Sequence, residues 1–167
     1  MVADIASRTP RNGRFCHMDA IDRRILAELQ QDGRQTITEL ARRVQLSVSP
    51  CLRRVRALER DGVITGYHAS VDPRKAGLEF EALLFITMSR SDATTLAQLE
   101  EAMTAIDEIV DCQRLFGEPD YLVRVITRSL TDYQTLYDTR IADIPGIERI
   151  RSTLVMRSVV SDRPIRM

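Results

Sequence analysis

The chain of 167 residues has no tryptophan, three cysteines, two histidines and a single lysine, Lys75. Cys16, Cys51 and Cys112 are odd in number and far apart, and no Cys-x-x-Cys occurs. That pattern argues against a disulfide framework. With only His17 and His68 to assist, it also argues against a structural zinc site, so reduced thiols are the simplest reading. There is no Gly-x-Ser-x-Gly, no phosphate-binding glycine loop and no His/Cys cluster. The chain therefore reads as a non-enzyme without a cofactor. Glu100-Glu101 is most simply a solvated helix face. No apolar run approaches the ~20 residues that span a bilayer. Arg8, Arg11 and Arg14 have no apolar stretch behind them, as a secretory signal needs. These absences predict a cytoplasmic protein with no membrane partner.

What is present is ordinary for a globular protein: 44% hydrophobic and 29% charged residues. The net charge of zero conceals an asymmetry. Residues 1–18 and 19–75 carry +2 and +3, and residues 76–167 carry −5. The densest basic cluster is Arg42, Arg43, Arg53, Arg54, Arg56 and Arg60. A basic first domain beside an acidic remainder points to a polyanion partner for the first domain alone.

Residues 1–18 show no apolar period and read as a flexible tail. A domain of three helices follows over 19–62. The first runs from about Asp19 to Gln31, with Ile21, Ile25, Leu26 and Leu29 on one face and Asp19 as cap. The second, about Thr36 to Val44, opens on a Thr36–Glu39 capping box. A tight turn at Gln45-Leu46 leads to the third, which starts near Ser47–Pro50 and ends at Arg60. Ser47 or Ser49 caps it, Pro50 is tolerated in its first turn, and Gly62 stops it. Val63–Val71 is rich in β-branched and aromatic residues and reads as extended, within a linker over 63–78.

The second domain, 79–167, alternates strands and helices: Phe80–Ser89, Asp92–Ile106, Val110–Phe116, Tyr121–Thr127, Thr131–Ile144 and Ile147–Arg157. The order β-α-β-β-α-β is the ferredoxin-like arrangement, so the fold class is α+β. Such a sheet has helices on one face only. The other face, that of Leu84, Ile86 and Met88 or its alternate, is apolar enough to require a second copy of the chain.

Two segments carry candidate chemistry. The third helix has a small, polar tip and an arginine row, which suits a major-groove reader. Ser47, Val48, Ser49 and Pro50 form the tip, and Arg53, Arg54 and Arg56 project behind it. An arginine can take both acceptors of a guanine edge. Arg42 and Arg43, with Thr36 at the start of the second helix, are placed for phosphates. A plain three-helix bundle with a solvated arginine face fits the same spacing. The second segment is Gly117-Glu118-Pro119-Asp120-Tyr121. Backbone N–H groups near Gly117 can meet a carboxylate and Asp120 an ammonium, as a free amino acid would require. A plain hairpin turn also fits.

The stretch from Met18 to Pro73 resembles the N-terminal domain of the Lrp/AsnC (leucine-responsive, feast/famine) transcriptional regulators. The matching pieces are Asp19 and Asp22 with Ile25-Leu26, Asp32-Gly33-Arg34, Glu39-Leu40-Ala41, Leu46-Ser47, and Pro50-Cys51-Leu52-x-Arg54-Val55. Leu58-Glu59-x-x-Gly62-x-Ile64 and Tyr67 complete it. Val48 departs, standing where the family commonly has proline. The resemblance implies a winged-helix-like DNA-binding domain joined to a ferredoxin-like RAM (ACT-like) domain, and a sequence-specific regulator of double-stranded DNA. It implies dimers, grouped as an octamer of four dimers, and an amino-acid effector where dimers meet. The effector contacts it implies are Gly117, Glu118, Pro119, Asp120, Tyr121, Leu130, Thr153, Leu154, Val155 and Met156. Glu118-Pro119, Phe116 and Arg114 depart from the family's usual residues. The alternative is an amino-acid-insensitive, architectural protein of the same fold that wraps DNA.

Overall fold

The computed structural model describes residues 18–166. The tail expected over 1–18, except its last residue, lies outside them, as does Cys16. The chain divides into two compact units, one of residues 18–70 with 160–166 and one of residues 71–159.

In the first unit, α1 (Ala20–Gln31), α2 (Ile37–Arg43) and α3 (Val48–Arg60) form as the capping residues dictate. The Asp19 carboxylate accepts from the N–H groups of Ile21 and Asp22, and Asp22 returns the favour to the Asp19 N–H. Thr36 and Glu39 make the same reciprocal pair at α2. Each box satisfies N–H groups that a helix start leaves without partners. Ser47 is the N-cap of α3 but makes no side-chain cap bond, so its hydroxyl is not used by the helix. Past α3, Gly62 takes a left-handed φ of 73°. The Gly62 N–H then donates to Glu59 O and the Val63 N–H to Leu58 O, a Schellman stop. Ile25, Leu40 and Cys51 are the buried centre, with Leu26, Ala41, Val44, Val55 and Leu58 around them. Burying each large aliphatic side chain contributes roughly 1.5–3 kcal/mol.

The extended segment expected over Val63–Val71 does not form a strand; its backbone is bent and then irregular. Val63 and Ile64 instead pack against the three-helix core. Their apolar surface is used there, and no neighbouring strand among the described residues offers 65–71 a ladder.

The second unit is β1 (Phe80–Met88), α4 (Ala93–Thr104), β2 (Ile109–Arg114), β3 (Tyr121–Thr127), α5 (Leu130–Leu136) and β4 (Ile147–Leu154). A wide π turn, Tyr137–Ile141, continues α5. The sheet is antiparallel with order β2-β3-β1-β4, as the ferredoxin-like reading requires. Ala82, Leu84, Ile86 and Met88 are buried in one core with Leu96, Leu99, Met103, Tyr133, Leu136 and Ile141. These four β1 residues therefore face the helices. The open face is the alternate one, carrying Leu83, Phe85 and Thr87 on β1 and, by register, Leu122 on β3 and Arg149, Arg151 and Thr153 on β4. Leu83, Phe85 and Thr87 are only partly covered, and Arg151 lies 4.8 Å over the Phe85 ring. No helix among the described residues is long and apolar enough to cross a membrane.

The chain end departs from the expected domain boundary. Residues 160–166, read above as part of the second domain, group with the first unit. The reason is polar: Ile165 bonds through both its backbone groups to the Gln30 side chain, and Asp162 accepts from Ser70 Oγ.

Gly146 leads into β4 at φ 87°, and a Cβ there would collide with the Thr95 methyl on α4. Gly146→Ala is expected to lower stability by at least about 1–2 kcal/mol through the left-handed backbone alone. Thermal unfolding followed by circular dichroism measures this. An unchanged melting temperature would mean that the turn does not hold α4 against the sheet.

Candidate functional site

The polar face of α3 follows from the burial of its other side. Cys51, Val55 and Leu58 enter the core, so Ser49, Arg53, Arg56 and Arg60 fall on the outer face at helical spacing. Ser47, Val48 and Ser49 are exposed at its tip, and Pro50 is partly covered. Because Pro50 has no N–H, the tip presents at most the N–H groups of Ser47, Val48 and Ser49 to an acceptor. The α2–α3 turn is tight because Gln45 adopts φ 60° and the Leu46 N–H reaches back to Ala41 O.

The arginines divide into two groups. Arg54 is engaged within the chain. Its Nη1 lies 2.8 Å from Asp19 Oδ2 and 2.8 Å from Asp22 Oδ1, in a partly buried position. The two carboxylates come from the start of α1, and they raise the pKa of the guanidinium further. Arg54, expected to meet a base, here ties α1 to α3. One residue along a helix is a rotation of about 100°, which turns Arg54 inward while Arg53 points out. Arg43 is also engaged, pairing with Glu28 at 3.0 Å on an exposed surface. Among the described residues Arg42, Arg53 and Arg56 form no ion pair. Within the arginine cluster these three are the cations left for a polyanion. The Thr36 hydroxyl is occupied in its capping box, so only its place at the start of α2 favours a phosphate.

The Gly117 turn sits at one end of the sheet. Asp120 is built into it: Oδ2 accepts from the Met88 N–H at 2.7 Å, and the Asp120 N–H donates to Ile86 O at 2.9 Å. One oxygen of the carboxylate expected to meet an ammonium is therefore committed to β1. Tyr121 is corrected outright. It is 1% exposed, faces the helices with Val123 and Val125, and its hydroxyl donates to Glu100 Oε1 at 2.8 Å. Burial and that carboxylate push its phenol pKa well up. Gly117 has φ 140°, which demands glycine although the space beside it is open. Phe116 is fully exposed. Glu118 and Pro119 line an open pocket of about 490 Å³ with Phe85, Thr87, Arg149 and Arg151, and Glu118 pairs with Arg149. The sequence reading missed these four residues of β1 and β4, because their alternation gives faces but not which face stays open.

The remaining effector candidates lie elsewhere. Tyr121 pairs with Ile86, whereas Leu154 pairs with Ala82 and Thr127, just before Leu130, pairs with Phe80. Leu130 and the Thr153–Met156 stretch thus occupy the opposite end of β1, on the order of 13 Å away at ~3.3 Å per residue. A single chain does not bring the two sets together.

With this geometry in place, comparison with known proteins is decisive. Residues 81–165 match the Lrp/AsnC ligand-binding domain, and residues 18–65 match a winged helix-turn-helix DNA-binding domain. The chain belongs to the Lrp/AsnC family. It is 37% identical over 142 residues to the leucine-responsive regulatory proteins of Escherichia coli and Klebsiella pneumoniae, covering 85% of this chain and 87% of theirs. A transcriptional regulator of Neisseria meningitidis, solved in complex with L-methionine, superposes with a TM-score of 0.83 at 28% identity, covering 89% of this chain and 96% of that one. A feast or famine regulatory protein of Mycobacterium tuberculosis, complexed with L-methionine, gives 0.79 at 36% identity, with coverage of 89% and 99%. The protein is a DNA-binding transcriptional regulator of the Lrp/AsnC type, and its relatives are regulators, not enzymes.

The two arginine groups separate by substitution. Arg53→Ala is expected to weaken specific DNA binding by about 1–3 kcal/mol while leaving the melting temperature unchanged. Arg54→Ala is expected to destabilise the first unit by about 1–3 kcal/mol, because Asp19 and Asp22 lose their cation. Paired DNA titrations and melting curves check this; the reverse pattern would restore Arg54 as a reader.

The caps set an acid limit. The Asp22 N–H, and after it Arg54, hold the Asp19 carboxyl below its ordinary pKa, and the Thr36 N–H and hydroxyl do so for Glu39. A depressed folded pKa gives stability that is complete above the unfolded value, about 4, and is lost as pH falls through the folded one. The melting temperature should therefore be flat from neutral pH to about 5 and fall below about 4. A melting temperature that holds or rises on acidification would contradict these caps.

Proposed function

We propose that this regulator places the N-terminal half of α3 in the major groove, with Ser47, Val48, Ser49, Pro50 and Arg53 toward base edges. Arg42 and Arg56 take phosphates, joined by Arg43 and by the start of α2 at Thr36. Two chains pair through the open face of Leu83, Phe85 and Thr87 and present two such helices to DNA. Four pairs build the octamer, working in the cytoplasm. An amino acid with an apolar side chain then modulates DNA binding from a pocket built by more than one chain.

The observation that carries the last step is the division of the effector candidates. Gly117, Glu118, Pro119 and Asp120 stand at one end of β1. Leu130 and residues 153–156 stand at the other. Leu130, Leu154 and Met156 are exposed apolar groups with no use inside one chain. They become useful where one copy's far end meets another copy's Gly117 turn. Occupancy would then be linked to assembly, because a ligand shifts an equilibrium only by its differential affinity for the two states. The L-methionine complexes of the two relatives supply the ligand class.

A second reading has its own support. The Asp120 carboxylate already serves the Met88 N–H, which favours a chain that assembles on DNA without sensing amino acids. Calorimetry with L-methionine and L-leucine separates the two readings. Saturable binding to the full chain is expected, weakened at least about tenfold, or 1.4 kcal/mol, by Leu130→Asp. Sedimentation in the same samples reports assembly. No heat from either amino acid, with assembly intact, would establish the architectural reading.

A further inference from the structure

Inside the second unit a further open cavity, of about 490 Å³, is lined by the α4–β2 turn, the end of β3 and α5. We propose that it is a second small-molecule site, which takes a zwitterion with an apolar body, its ammonium at Glu108 and its carboxylate at Arg140. It shares no residue with the Gly117 turn or with Leu130 and residues 153–156, and it does not rest on the effector pocket proposed above. Its volume falls in the range of small-molecule pockets, ~300–1,000 Å³.

One wall follows from helical spacing. Asp132, Thr135, Leu136, Thr139 and Arg140 recur on one face of α5 and of the π turn after it. Leu78 and Ile126 add apolar lining. Ile126 and Leu136 are almost fully covered, so an apolar body would meet a firm floor there.

Four charged side chains line the cavity, and only two of them answer each other. Arg128 and Asp132 pair at 3.0 Å, one turn apart. Glu108 and Arg140 form no ion pair among the described residues, with each other or with a third group. Oε2 of Glu108 is buried and has no hydrogen-bond partner. A buried acceptor without a donor is costly, and chains seldom keep one that nothing meets. Arg140 donates one N–H to Ala105 O, at the C-terminal cap of α4, at 2.8 Å. The rest of that guanidinium is exposed and keeps donors to spare.

The unmet groups are thus a carboxylate oxygen and a cation, and both belong with the turn from Ala105 to Glu108 that leads into β2. A neutral apolar molecule would leave both unmet, and a simple cation or anion would leave one. A zwitterion meets both with charge-assisted hydrogen bonds, which are the strong ones. The Thr135 and Thr139 hydroxyls each donate to a carbonyl one turn back. Toward the cavity they can only accept, so they serve an ammonium and do not compete for it as donors to Glu108.

The test follows the full chain by NMR of labelled isoleucine and leucine methyl groups, with L-leucine as the probe. The Ile126 and Leu136 methyls are expected to shift saturably. Glu108→Gln and Arg140→Gln should each weaken that binding on the order of tenfold or more, as loss of one partner of a charge pair does. L-leucinamide, which lacks the carboxylate, and N-acetyl-L-leucine, which lacks the ammonium, should bind more weakly by a similar factor. Without ligand, Glu108→Gln should melt no lower than wild type, because no donor inside the chain is lost. Leu130→Asp, which disables the pocket proposed above, should leave the Ile126 and Leu136 shifts unchanged, so the two readings fail separately. The second site is refuted if L-leucine moves neither methyl, or if the shifts survive both substitutions. It is refuted too if either analogue binds as well as L-leucine, if Glu108→Gln lowers the melting temperature, or if Leu130→Asp abolishes the shifts.

Discussion

The tie between α3 and α1 depends on one guanidinium. Arg54 lies between Asp19 and Asp22, two carboxylates that already cap α1. The same pair of acids thus closes a helix start and fixes a second helix against it. Hydrogen bonds to charged groups contribute more than neutral ones, and the geometry here is partly shielded from water. Burial of Cys51, Val55 and Leu58 turns Arg53 outward, and the Arg54 tie fastens the same side of α3 to the start of α1.

The second unit shows a similar division of labour across a sheet. One face of β1 is spent on the core with α4 and α5, and the other is only partly covered. Asp120 and Tyr121, adjacent in sequence, go to different tasks. Asp120 fastens the Gly117 turn to β1, and Tyr121 fastens β3 to α4 through Glu100. The turn is thereby rigid at its base while Phe116, Glu118 and Pro119 remain at the surface. Rigidity at the base and exposure at the tip suit a contact made with another copy.

Local features were readable in the sequence because their causes are local. The Thr36–Glu39 box and the Gly62 stop each rest on residues within one turn, and α2 begins and α3 ends where they predict. The split βαβ order followed from alternation and spacing. What depended on distant partners was not readable. Alternation gave β1 two apolar faces, and only packing against Leu99 and Met103 shows that Leu84 and Ile86 point inward. Arg54 and Arg53 are equivalent as letters; the partners of Arg54 lie 32 and 35 positions away. The same holds for Ile165 and Gln30, 135 positions apart. Val63–Val71 misled because β-branched content signals a strand only where a ladder partner exists.

The most direct test of this account is a double-mutant cycle between Asp22 and Arg54, using Asp22→Asn and Arg54→Met, with stability measured by denaturant unfolding. The account predicts a coupling of roughly 1 kcal/mol or more, since residues in one ion-pair network interact non-additively. Additive effects, with a coupling near zero, would mean that the guanidinium does not hold α3 to α1.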